Sequence, residues 1–507
     1  MPAARTLQRT VRAAVLTGLW WGVSHAALAQ AVATAPTQGG GISQEQALAL
    51  SARLDTLETR NAALEAQIAD LKAQTSSAAQ MIRATQAAQP SVTVNNGRPI
   101  VTSADGAFKF AVRTVVQFDA ASYSERPRTA ANDLGSGTNF RRARLGFDGT
   151  AFKDWNYALW GEFGGSGGEA AILNQAYVEY AGWKPFGLEE PVRLRVGAWA
   201  TPAGLEDATS NTEELFLERP AIAEMVRGFA TGDGRTGMGA TARGARWYAS
   251  GLFSGKVVGS PVTPEIDQQS GFAARLAFNP IHGADYDLHL GASIQGILDP
   301  ADTTAGPIST RAVRLQERPE LRVSGIRLVD TGALNADGLT AYGLEVGGSW
   351  RNLYGAAEWY QVDVNRRATA PAVSPFDPSF SGWYVQGAWA ITGEHHAWNN
   401  ANGGFAGIRP AEVFDPRRAT WGAWELAGRY SELDLNDHSG VAGAPTRAGG
   451  VRGGEQKIST IGLNWYPNTV VRFLLDYQWA RVTRLSAPGA NIGEDVNVVS
   501  LRSQFAF

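Results

Sequence analysis

Cysteine is absent from the 507 residues, which excludes disulfides and thiolate metal sites. Lysine is scarce: six of the 45 cationic residues are Lys and the other 39 are Arg. No uncharged apolar run reaches the roughly 18 residues that a membrane-spanning helix needs. A net charge of −3 gives no overall basic balance that would point to nucleic acid. The chain also lacks an H-E-x-x-H pair and a G-x-x-x-x-G-K-[ST] phosphate cradle, and its G-x-S-x-G match at 164–168 is not followed by the helix that a nucleophile elbow needs. Its Gly-rich run at 161–169 precedes a strand pattern and reads as a loop. His395 and His396 adjoin without a third metal ligand, and His282 and His289 have no nucleophile nearby in sequence. Catalysis, cofactors and metals are therefore not expected.

What the chain does have is glycine and aromatic rings: 58 Gly, 20 Phe, 16 Trp and 13 Tyr. With little helical periodicity beyond the first hundred residues, that composition suits a many-stranded β protein.

The first hundred residues stand apart. Arg5, Arg9 and Arg12 precede the apolar core Ala13–Val23, and Ala27-Leu28-Ala29 supplies the small residues of a cleavage site. Residues 1–29 thus read as a secretory signal, followed by a polar spacer at 30–41. Leu50, Leu54, Leu57, Asn61, Leu64, Ile68 and Leu71 then alternate at spacings of four and three. That spacing predicts a coiled coil over 42–75, with Asn61 in the seam fixing register. Residues 76–106, with Pro90, Gly97 and Pro99, read as a linker.

From Ala107 onward, one pattern repeats. In Phe473, Leu475, Tyr477 and Trp479 against Arg472, Asp476 and Gln478, apolar and polar side chains alternate with period two. Trp424, Leu426 and Tyr430 against Glu425 and Arg429 do the same, as do Val499, Leu501 and Phe505 against Ser500, Arg502 and Gln504. The apolar faces are tipped with aromatics, as in the interfacial girdles of outer-membrane barrels. Very short connections (Lys153-Asp154, Ala245-Arg246, Arg351-Asn352, Pro467 to Thr469) alternate with long ones, matching short periplasmic turns and long outer loops. Counting back from Phe507 predicts a 16-stranded antiparallel barrel over 107–507. Both barrel ends then lie at the periplasm, and Phe507 becomes the signal read by barrel-assembly machinery.

Two outer loops exceed what a connection needs. Loop 3 (200–235) carries seven acids, Glu213 and Glu214 among them, against Arg219, Arg227 and Arg235. Loop 5 (297–338) holds Arg311, Arg314, Arg318, Arg322 and Arg327 against Glu317 and Glu320 between positions 311 and 327. The two loops therefore differ in sign. A periplasmic connection at 392–417 is also long.

Several segments carry a family likeness: R-R-A-R-L-G-F-D-G-T-A-F-K-D-W-N-Y (141–157), E-L-F-L-E-R-P-A-I-A-E-M-V (214–226) and W-G-A-W-E-L-A-G-R-Y-S-E-L-D-L-N-D (421–437). With I-G-L-N-W-Y-P-N (461–468) and the ending L-R-S-Q-F-A-F, the chain resembles the phosphate-selective porin O/P family over most of 107–507. The resemblance implies a homotrimeric channel in outer-membrane lipid, with loops 3 and 5 folded inward and an arginine ladder leading to a lysine-rich constriction. Here the ladder candidates are Lys109, Arg113, Arg142, Arg144, Arg193, Arg195 and Arg275, and neither loop holds a Lys. The expected function is passive diffusion of small polar solutes with an anion, and by resemblance phosphate, preference. The alternatives are a tether from the outer membrane to peptidoglycan through the coiled coil, and a channel for a sugar or aromatic solute using Trp160 and Trp199.

Overall fold

The computed structural model describes residues 43–87, 89–127, 133–165, 173–259, 266–303, 310–367 and 376–507. The signal and spacer readings (1–41) lie outside these residues, as does Ile42.

Two compact units, divided at Ala87/Ala88, make up the chain. The first is the helix α1 (Gln44–Ala87). It runs past the predicted end of the heptads because 76–87 is rich in Ala and Gln, good helix formers that need no partner seam. Its seam residues are all solvent-exposed in the single chain, Leu50 and Leu71 each at 60%. The rest of the expected linker is not unstructured. Ser91–Asn95 and Arg98–Thr102 form a hairpin around Asn96-Gly97, whose residues both take positive φ. An Asn-Gly pair is the preferred centre of such a turn.

The second unit is built on sixteen strands, with the following bounds. They are β1 (Lys109–Arg126), β2 (Gly137–Ala151), β3 (Trp155–Glu162), β4 (Leu173–Trp183), β5 (Val192–Ala198), β6 (Arg235–Arg243), β7 (Trp247–Val257) and β8 (Ser270–His282). Then come β9 (Tyr286–Asp299), β10 (Leu334–Trp350), β11 (Leu353–Arg366), β12 (Ser379–Ala390), β13 (Ala423–Asp437), β14 (Val451–Tyr466), β15 (Val471–Thr483) and β16 (Glu494–Ala506). Each pairs antiparallel with its sequence neighbours, and β16 returns to β1 from Asp495↔Arg126 to Ala506↔Val115. Closure leaves no strand edge unpaired, which a hydrocarbon environment requires. The hairpin adds to the start of β1 through Ile100↔Ala111.

The period-two alternation becomes two faces. Leu475, Tyr477 and Trp479 are exposed on the outside of β15, while Arg472, Asp476 and Gln478 are buried inside. Outer rings cluster beside the short turns, where Trp424, Trp465 and Phe473 stack in series. The inward residues of β8–β16 are mostly buried, whereas those of β4–β6 are mostly half-exposed. The lumen is thus filled on one side and more open on the other.

Loops 3 and 5 do much of the filling. Loop 3 contains α2 (Leu205–Ala208) and α3 (Ala221–Ala230). Pro220 precedes α3, where a missing N–H costs nothing. Ile222, Val226 and Phe229 recur along one helix face and are buried. They pack with Leu315, Leu321 and Leu328 of loop 5 and with Val362, Leu433 and Val482 of the wall. Burial is worth roughly 1.5–3 kcal/mol for each such side chain, so this packing holds the loops inside. The connection at 392–417 also enters the barrel, from the short-turn rim: Phe405 is buried with Leu205 of loop 3 and Tyr354 of β11.

Candidate functional site

The lumen is the site, and its charges decide its chemistry. β1, β2, β3 and β16 present Asp119, Arg142, Arg144, Glu162 and Arg502 inward, because these positions share the inner parity of their strands. Arg141 reaches the interior as well, beside a register shift between Gln117 and Phe118.

Loop 3 threads through these groups. Arg502 forks onto Asp119 (2.7 Å to each oxygen) and reaches Glu218 at 3.0 Å. Glu218 also accepts from Arg141 at 2.7 Å and lies 3.7 Å from Arg322 of loop 5. Arg322 pairs with Glu224 (3.0 Å), and Glu224 with Arg219 (3.4 Å). Arg219 holds Glu214 (2.8 Å) and Asp207 (3.6 Å), and Asp207 holds Arg227 (2.6 Å). Arg227 binds Asp233, which Arg144 contacts at 2.8 Å. Arg144 closes the chain on Glu162 at 2.5 Å. The acids of loop 3 are thereby largely compensated: they pair with Arg219 and Arg227 of the loop itself, with wall arginines and with Arg322 of loop 5.

Burial pushes the Glu218 carboxyl up, but Arg141, Arg502, Arg142 and Arg322 outweigh it and hold the group well below the usual carboxylate range. Glu224 is likewise pulled down to about 2 against burial, by Arg322, Arg227 and Arg219. Glu206 behaves oppositely. Burial pushes its carboxyl up to about 7, Glu214 and Glu358 add to the rise, and Arg429 and Arg219 only partly oppose it. Gln386 donates to it at 2.6 Å, and no arginine pairs with it directly among the described residues. Because its pKa is higher folded than unfolded, the folded state binds the extra proton, and stability falls as pH rises from about 4.5 to about 7. Glu206→Gln should therefore flatten the pH dependence of loop 3 seating between pH 5 and 8. The gain at pH 8 should be no more than ~3 kcal/mol, read as urea resistance and as reduced current noise.

The sequence candidates separate into groups. Arg113 stacks on Trp160 at 3.8 Å with Asp148 3.7 Å away, and its side chain is 40% exposed. Arg142 is buried on Gln117. Arg193 and Arg195 both hold Glu179. Lys109 stands exposed at the short-turn rim. Arg275 is fully covered, forked on Glu345 and bonded to the Asn402 and Gly403 carbonyls. In loop 5, Arg311 and Arg314 pair at its outer base with Asp302 and Asp330, away from loop 3. Arg318 and Arg327 lie near Glu317. Glu213 meets Arg409.

Residues that sequence reasoning did not single out complete the site. Arg98 of the hairpin binds Asp148. Arg472 lies buried over the Tyr466 ring (4.6 Å), with Nη1 on the Thr212 carbonyl and no carboxylate partner among the described residues. Inner parity marked Arg472 and Arg502; nothing in the sequence marked Arg98. A cavity of about 550 Å³ opens at this end of the barrel. Its lining contains Arg98, Arg113, Arg144, Arg219, Arg227, Arg409 and Arg472 against Asp207, Glu213 and Asp233.

Residues 110–507 match the family model for phosphate-selective porin O and P. Porin O of Pseudomonas aeruginosa is 25% identical over 430 residues, covering 80% of this chain and 90% of that protein. An uncharacterized protein of Caulobacter vibrioides is 28% identical over 445 residues, covering 83% and 78% respectively. Among solved structures, the anion-selective porin from Comamonas acidovorans aligns over 79% of this chain and all of that chain, at 12% identity and a TM-score of 0.45. OmpT of Vibrio cholerae, solved in a trimer form, aligns over 79% and 100% at 10% identity, with a TM-score of 0.44. The family match over most of the chain agrees with the closed sixteen-stranded barrel and its inner and outer faces: this chain belongs to the phosphate-selective porin O and P family of outer-membrane porins.

Proposed function

We propose that the protein is a passive diffusion channel preferring small anions, with the arginine-rich side of the lumen as the path. The observation that carries this reading is the cavity at the short-turn mouth, lined by seven arginines and three acids. Selectivity follows the charge at the narrowest point. The guanidiniums replace part of an anion's water, while Asp207 and Asp233, each already paired, keep binding weak enough for release. Phosphate is one anion such a set accepts, since a guanidinium fork fits an oxyanion. In planar bilayers under a potassium chloride gradient, the reversal potential should take the anion sign. Absence of conductance would defeat the channel reading, and a cation sign would defeat only the preference.

We assign the exposed seam of α1 to copies of itself in a homotrimer and the helix to the periplasm, and we assign to Phe507 the signal for barrel insertion. The tether to peptidoglycan is the competing role. Removing 42–75 should lower the oligomer mass in detergent; unchanged mass with a leaky envelope would favour the tether.

A further inference from the structure

The connection between β12 and β13 is far longer than a turn between adjacent strands needs, and its fold inside the barrel gives it work. Trp398–Asn399 pairs with Gly404–Phe405, making a small hairpin that points inward. At its tip the Asn402 and Gly403 carbonyls accept from Arg275 at 2.7 Å each, and Asn402 Nδ2 donates to the Ala208 carbonyl of loop 3 at 2.6 Å. On one flank Trp398 donates from its backbone N–H to Asp287 (3.1 Å) and from Nε1 to His289 Nδ1 (3.2 Å). His395 lies 3.6 Å from the same Asp287. On the other flank His396 places Nε2 2.6 Å from Glu425 and Nδ1 3.0 Å from the Ala406 carbonyl. The ring thus bridges the inward connection to the wall carboxylate. His396 thereby covers Glu425, whose side chain is 0% exposed.

We propose that residues 392–411 are a selectivity determinant: an inward plug that covers the carboxylates Glu425 and Asp287 and keeps permeating ions on the arginine side. The inference rests on the channel reading above. Carboxylates lining an open lumen attract cations. Without the plug, Glu425 loses His396 and keeps only the neutral donors Tyr466 and Asn464, and Asp287 loses Trp398 and His395 and keeps Asn279 and His282, whereas Glu345 keeps Arg275 and His289 from the wall itself. Two carboxylates that the plug now covers would then be open to the lumen.

The test replaces 396–408 by Gly-Gly-Ser-Gly in the full chain, keeping Arg409, and compares it with wild type in planar bilayers under a potassium chloride gradient. The plugless channel should conduct at least twofold more, with an anion-to-cation permeability ratio at least threefold lower. Adding Glu425→Gln and Asp287→Asn should restore the ratio and leave the conductance high. In the intact channel the same two substitutions should leave the ratio within about 20%. A higher conductance with an unchanged ratio, or no change in either, overturns the proposal. A cysteine probe covers failure of the shortened chain to insert, because there is no native cysteine to interfere. Ala277 lies beneath Gly403, so Ala277→Cys in the otherwise intact chain should resist a charged methanethiosulfonate reagent at least tenfold longer than Glu213→Cys. Equal reactivity of the two overturns the cover whether or not the pore conducts. A silent wild-type channel, by contrast, counts against the channel reading alone.

Discussion

Replacing Glu218 by Ala should unseat loop 3 and turn a quiet channel into a noisy one of larger conductance. The carboxylate is shared by Arg141, Arg502 and Arg322, at distances from 2.7 to 3.7 Å. Its loss leaves three guanidiniums short of a partner where water is largely excluded. Removing one member of a buried ionic cluster costs about 3–5 kcal/mol. The same backbone stretch supplies the Glu218 carbonyl to Arg429 and the Leu217 N–H to Asp476, so local rearrangement cannot easily replace the missing acid. Glu213→Gln is the control: its pair with Arg409 is partly exposed, and such pairs are worth about 0–1 kcal/mol. Single-channel recordings should separate the two variants clearly. Acid should not reproduce the effect of Glu218→Ala above pH 3. Glu218 and Glu224 are held below their ordinary range, so their contribution is present above about pH 4.5 and is lost only as pH falls through the folded values.

Arg113→Glu should reduce the anion-to-cation permeability ratio about fivefold. Two charge units change at a position facing the cavity, which at ~8 Å in water is worth about 1 kcal/mol to each ion, of opposite sign for anion and cation, and screening over a Debye length of ~8 Å cuts the difference of about 2 kcal/mol to about 1 kcal/mol. The guanidinium lies on Trp160 and only loosely near Asp148, so the substitution breaks no buried pair that would confuse the reading. Arg314→Glu is the matched comparison, because it lies at the outer base of loop 5, half-exposed beside Asp330. It should shift the ratio by less than 20%. If the two variants shift the ratio equally, the path does not pass Arg113.

Both predictions turn on distinctions that period-two reading alone cannot draw. The sixteen strands were legible because each side chain needs either lipid or lumen, and alternation reports that need directly, as in Trp479 against Gln478. Inner position for Arg144 and Arg275 followed from the same parity. What parity does not report is what stands opposite. Arg144 and Arg275 look equivalent in sequence, yet one lines the cavity and the other lies under the tip of an inward connection. Arg141, odd by parity, reaches Glu218 near a register shift that no residue pattern announces. Summing charge showed only that loops 3 and 5 differ in sign, whereas the acids of loop 3 pair partly with its own Arg219 and Arg227 and partly with Arg502, Arg141 and Arg144 of strands far away in sequence. For 392–417 only the length and the adjoining His395 and His396 were read; where its Phe405 and Ile408 are buried depends on neighbours far away in sequence. Arg98 falls in a stretch read as linker and gains its role only because the hairpin adds onto β1.

The fork of Arg502 on Asp119 joins the last strand of the barrel to the first, and Glu218 is bound to the same guanidinium. Closing the barrel and seating its filter therefore share one binding free energy, and a shared free energy acts equally in both directions. Whatever tightens the β16–β1 junction must lower the frequency with which loop 3 swings free, and whatever displaces loop 3 must weaken that junction by the same amount. Resistance of the barrel to unfolding and steadiness of its current are then two measurements of one quantity.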